Sequence, residues 1–181
     1  MKAYGIKLIE LTKQHAEAIA RQWYNNVKMN PKTPSYRRLP EERALRHAVY
    51  FYQNLHKLFF TDTPFEEAGK FFTRYAEDRY AEGLSLTETV YALVLMRRHM
   101  WLFAEFQASF VTAVEHHQAT ESLSRTILMF DYAVYVITNR YEELLRAEIE
   151  DKLKSMKVKM PAGFLRALQP RPGTTQERSL A

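Results

Sequence analysis

Six histidines, at positions 15, 47, 56, 99, 116 and 117, are the residues best suited to hold a metal or move a proton near neutral pH. A di-iron bundle needs Glu-x-x-His on two helices, so that both side chains project inward one turn apart. No glutamate here has a histidine three residues later, and neither His-x-x-x-His nor His-Glu-x-x-His occurs. His116 and His117 are neighbours, so on a helix they point about 100° apart and share a metal poorly. A polar connection between helices suits them better. His99 stands apart, in "LMRRHMWLF", flanked by Met96, Met100 and Phe103. Two readings fit it: an axial haem ligand, or a core-boundary histidine with a hydrogen-bond partner. The expectation is no metal and no cofactor, with haem on His99 as the alternative.

Nucleophilic catalysis lacks its parts. Cysteine is absent and no Gly-x-Ser-x-Gly elbow occurs. Phosphate-cradling glycine loops are missing as well. The carboxylate pairs Glu66–Glu67 and Glu142–Glu143 are neighbours that fall on different helix faces, which suits solvated surface rather than acid–base work. The chain is therefore expected not to be an enzyme. What remains is aromatic: eleven Tyr, eleven Phe and two Trp. Trp23, Phe59, Phe72, Tyr91, Met96, His99, Trp101 and Phe103 are candidates to line a pocket for a small apolar ligand. The competing reading is a filled, aromatic-rich core.

These residues must be positioned by helices. Strand-type alternation is missing, and Gly and Pro sit only at boundaries, so the spacing predicts an all-α bundle of about five main helices. The first follows Thr12 as N-cap and runs to about Val27, with Ile19, Trp23 and Val27 on one face. The second opens at Pro40, followed by Glu41 and Glu42, and carries Leu45, Val49, Tyr52, Leu55 and Phe59. The third begins at "TPFEE", with Thr63 and Glu66 as a capping box, and stops near Gly83. The fourth runs from "SLTE" to about Ala113 and is apolar around most of its circumference, as befits the centre of a bundle. The fifth and longest extends from about Thr120 to Met156.

That last segment bears a heptad seam through Leu123, Ile127, Phe130, Val134, Ile137, Tyr141 and Leu144. Such a seam is either a core face within the chain or a dimer contact. Phe130, Val134, Ile137, Tyr141 and Leu144 are the candidate dimer residues. Beyond them the apolar phase slips to Leu145, Ile149, Leu153 and Met156, where self-association is the favoured reading. The expected organisation is a helical domain over 1–156 and a basic, flexible tail over 157–181.

Charge follows the same division. From Lys152 onward seven Lys or Arg face one acid, a net +6, which leaves −1 for residues 1–151. A basic arm of this kind can dock on nucleic acid or anionic membrane, yet no aromatic interleaving supports base stacking, and a solvated tail is favoured. No secretory leader or apolar run near the ~18 residues of a membrane span is present. A cytoplasmic location is the expectation.

The stretch "RYAEGLSLTE" (79–88) is the sharpest local signal. Gly83 is placed to end a helix in the left-handed conformation. Ser85 and Glu88 form a capping box that starts the next helix, and Arg79 sits one turn before the stop, within reach of Glu88. Arg79, Gly83, Ser85 and Glu88 are thus read as a structural corner. Together with "IARQWYNNV", "PSYRRLPEE" and "LVLMRRHMWLF" this stretch resembles the N-terminal sensory domain of RsbRD-type regulators. The matching residues are Trp23, Tyr36, Leu39, Arg79, Gly83, Glu88, Arg97 or Arg98, and Trp101. The resemblance covers residues ~15 to ~145. It implies a globin-like fold without haem, a homodimeric input module, and a last helix that signals to a partner protein. No output domain follows here, which leaves a free-standing sensor or the input half of a longer chain.

Overall fold

A computed structural model describes residues 7–106 and 112–159. Among the described residues the chain is an all-α bundle of six helices, with one short 3-10 turn at Pro34–Arg37 and no strand. The helices are α1 (Lys7–Gln14), α2 (Ala16–Met29), α3 (Glu41–Phe59), α4 (Pro64–Ala81), α5 (Leu86–Phe106) and α6 (Ala113–Lys159). No helix among them is long and apolar enough to cross a membrane. The tertiary contacts divide the chain into two units, Met1–Glu142 and Glu143–Ala181. The expected tail at 157–181 lies largely outside the described residues.

Several helix boundaries differ from expectation, each for a local reason. Thr12 is not an N-cap: it lies inside α1, and its hydroxyl donates to the Leu8 carbonyl at 2.7 Å. The break falls instead at His15, whose φ of −111° and ψ of 24° interrupt the helix before α2 begins. The first predicted helix is therefore two, which brings the total to six. Thr63 likewise makes no capping hydrogen bond; Glu66 turns outward to Lys70 at 2.9 Å instead. Proline at the first helical position starts α4 without that cap. His116 and His117, expected in a connection, belong to the first turns of α6.

The core is built where apolar stripes of several helices meet. On α3 the buried line runs through Ala44, Ala48, Phe51, Leu55 and Leu58, with Tyr52 beside it. Leu45, Val49 and Phe59, predicted as core, are only half-buried, so the helix is rolled toward the small alanines. Alanine lets neighbouring backbones approach, and the space is filled by rings. Phe51 makes ring contacts with Tyr52, Phe71, Phe72, Tyr75 and Phe130 at centroid distances of 5.7–6.2 Å. Each such pair contributes about 0.5–1.5 kcal/mol beyond the area it buries. Buried polar atoms of these rings find partners across helices. Trp23 Nε1 donates to the Ala92 carbonyl at 2.9 Å, and the Tyr52 hydroxyl to that of Met96 at 3.2 Å.

The apolar seam of α6 closes this core from within the chain. Phe130, Ile137 and Tyr141 are almost fully buried and Val134 packs against the same cluster. For Phe130, Ile137 and Tyr141 the assignment to a dimer contact is therefore corrected: a side chain buried in its own protomer has no surface left to offer a second one, whereas Val134 is half-buried. Leu144 is half-buried and belongs to the second unit. Between α4 and α6, Arg140 Nε and its terminal nitrogen donate to Glu77 Oε1 at 3.0 and 2.6 Å. In the second unit Leu145, Ile149, Leu153 and Met156 are all exposed.

Candidate functional site

The corner at 79–88 forms as its residues dictate. Gly83 takes a φ of +74°, the left-handed region that costs other residues steric strain. The amides of Gly83 and Leu84 close the end of α4 on the carbonyls of Tyr80 and Arg79. Ser85 Oγ then accepts from the Glu88 amide at 3.3 Å, and Glu88 Oε2 returns to the Ser85 hydroxyl at 2.9 Å and its amide at 3.4 Å. The second carboxylate oxygen reaches farther, accepting the Ser35 amide of the 3-10 turn at 2.7 Å. These donors outweigh partial burial and hold the Glu88 carboxyl below its usual range. Beneath the corner the Tyr141 hydroxyl donates to the Leu84 carbonyl at 3.1 Å and meets Thr89 Oγ1 at 2.8 Å. Burial pushes the Tyr141 phenol up to about 12, so it stays protonated.

Arg79 does not turn to Glu88. It is 2% exposed, and its terminal nitrogen pairs with Glu82 Oε2 at 3.1 Å and bonds to His47 Nδ1. The guanidinium also lies over the Tyr75 ring, 5.3 Å from its centroid. Burial, and then the Arg79 charge, push His47 down to about 4. Glu82 Oε1 stands 3.4 Å from the same ring nitrogen and would favour the imidazolium. The nitrogen's lone pair is already used by the Arg79 N–H, however, so the neutral ring prevails. Burial raises the Glu82 carboxyl, and Arg79 offsets part of that rise. Tyr36 and Tyr75 are neighbours in the same region, with hydroxyls outside hydrogen-bonding geometry, and burial raises both phenols. A charged donor is unused as well. Arg79 Nε is buried and has no acceptor.

This guanidinium borders a cleft of about 450 Å3 between α3 and α4. Tyr50, Phe51, Leu58, Phe71 and Tyr75 form its apolar walls, and Lys57, Lys70 and Arg74 stand among the charged residues lining it. None of the eight residues proposed from the sequence as a ligand pocket lines it. Trp23, Phe72, Met96 and Phe103 are buried core instead. Phe59 and Tyr91 pack half-buried against that core, Tyr91 with Lys32 over its ring, and Trp101 is half-buried. His99 is buried, but neither ring nitrogen has the partner expected of a core histidine. Burial and the nearby Arg98 lower its pKa, which keeps the ring neutral.

No protein-family model, characterised protein or solved structure matches the chain. The arrangement of its residues must carry the functional argument. No group of three or more His, Asp or Glu is placed to hold a metal ion among the described residues. The shifted groups His47 and Glu82 are neighbours of one buried arginine rather than a nucleophile–base pair. The α3/α4 cleft was missed by sequence reasoning, although a signal existed. Phe71, Tyr75 and Arg79 recur every four residues on α4, and His47, Tyr50, Asn54 and Leu58 recur every three or four on α3. Both lines face the cleft.

Proposed function

We propose that this chain is a non-enzymatic signal-input module, a cytoplasmic homodimer that senses a small ligand or a protein partner and passes the signal along its C-terminal helix. One observation carries the reading. The 47-residue helix α6 supplies Phe130, Ile137 and Tyr141 to the core of the first unit, and its later residues bear exposed Leu145, Ile149, Leu153 and Met156. An apolar stripe on an exposed helix marks an interaction surface. The corner residues shared with RsbRD-type sensory domains support the same reading. A ligand drives such a module only by binding two packings of α5 against α6 with different affinity. Size-exclusion chromatography with light scattering tests the dimer: a strict monomer at tens of micromolar overturns it. Leu145→Glu combined with Leu153→Glu should turn the dimer into monomer while leaving the helical circular dichroism unchanged.

A further inference from the structure

We propose that the α3/α4 cleft binds a small aromatic carboxylate, its ring lodged against Phe51, Phe71 and Tyr75 and its carboxylate turned to the guanidinium of Arg79. The cleft's size, about 450 Å3, suits a two-ring molecule. Its walls are ring-rich, and Tyr50 and Phe71 stand stacked with centroids 6.1 Å apart. A flat, rigid ligand matches such walls and loses less conformational freedom than an acyl chain of equal size. The charged lining favours a monoanion. Lys57, Lys70, Arg74 and Arg79 face Glu67 and Asp78. Lys70 is held by Glu66 and Glu67, and Arg74 by Asp78, whereas Lys57 has no ion-pair partner among the described residues. The two acids oppose a phosphate dianion more strongly than a single carboxylate.

The deciding feature is the unused donor. Arg79 spends one terminal nitrogen on Glu82 and His47, yet its buried Nε–H meets no acceptor. A buried donor left unpaired is costly, and a carboxylate oxygen is the acceptor that bonds a charged N–H most strongly. The role of such a ligand as stimulus rests on the input-module reading above; its binding does not.

Calorimetric titration of the full chain with 2-naphthoate, 2-naphthol and decanoate tests the assignment. Binding of 2-naphthoate should be saturable and at least about tenfold tighter than binding of 2-naphthol, the worth of one charge-assisted contact. Decanoate should bind more weakly than 2-naphthoate. Phe71→Ala and Arg79→Lys should each weaken 2-naphthoate about tenfold, with circular dichroism checking that the arginine variant is folded. Asn54→Trp, which fills the cleft from its half-buried wall, should abolish binding without touching the buried ion pair. Equal affinity for 2-naphthol, tighter binding of decanoate, unchanged affinity in Asn54→Trp, or no saturable binding at millimolar concentration each overturns the proposal. Saturable binding to a strictly monomeric chain leaves the site standing and overturns the dimeric module. A dimer that ignores 2-naphthoate does the reverse.

Discussion

Tyr141 offers the most exposed test of how the corner is held. Its hydroxyl makes two contacts, 3.1 Å to the Leu84 carbonyl and 2.8 Å to Thr89 Oγ1. Leu84 and Thr89 are themselves buried. Removing the hydroxyl in Tyr141→Phe leaves the ring packing intact and strands both partners away from water. Two net hydrogen bonds at about 0.5–1.5 kcal/mol each give a range of about 1–3 kcal/mol. Thr89 can redirect its hydroxyl to the carbonyl four residues back, as threonines in helices do. The Leu84 carbonyl has no such escape, because the Glu88 amide is already committed to Ser85 Oγ. The expected cost is therefore about 2 kcal/mol. Thr89→Val should cost about 1 kcal/mol, and the double variant about 2 rather than 3, a coupling of about 1 kcal/mol. Urea unfolding followed by circular dichroism, with an unchanged denaturant slope, measures all three. Tyr135→Phe, at a ring that is 67% exposed, should be silent. A Tyr141→Phe variant as stable as the parent, or strictly additive energies, would refute the argument that this hydroxyl joins α6 to α5 and to the turn before it.

Two further outcomes follow from the same region. Gly83→Ala should destabilise by about 1 kcal/mol, purely through backbone strain, since a Cβ there meets no atom within 4 Å; Gly83→Asn should recover part of the loss in the same unfolding assay. Stability should fall as pH drops from 6.5 toward 4, because the unfolded chain protonates His47 near 6.5 and the folded chain only near 4. The full shift corresponds to about 3 kcal/mol and, with the ring partly solvated, about half of that is expected. His99 adds in the same direction, and the raised Glu82 carboxyl opposes both at the acid end. His47→Gln should flatten the slope between pH 7 and 5; an unchanged slope would contradict the neutral His47.

The corner was legible because its signals are local. A glycine that must adopt positive φ, and a serine three residues before a glutamate, declare themselves within one turn of helix. The all-α architecture was legible for the same reason, but as about five helices rather than six, because the break at His15 has no Gly or Pro to mark it. What could not be read was the roll of each helix. Whether α3 leads with Leu45 and Val49 or with Ala48 and Phe51 depends on the ring it meets, and Phe71, Phe72 and Phe130 lie 20 to 79 residues away. The same dependence hid the cleft, since an arginine reads as surface until a histidine from another helix covers it. It also left the α6 heptads ambiguous: one apolar period serves a protomer core as well as a dimer, and only burial separates them.

Glu88 ties two distant backbone amides to a single titration. One oxygen caps the helix in which the residue sits, and the other holds Ser35 in the turn before α3. Because the negative charge is shared by both oxygens, one proton weakens both bonds, and the start of α5 is coupled to the Pro34–Arg37 turn. The lowered pKa of the carboxyl places that protonation on the acid side of its ordinary range. Near neutral pH the ionised carboxylate therefore holds the turn and the helix start together, although they are 53 residues apart in the chain.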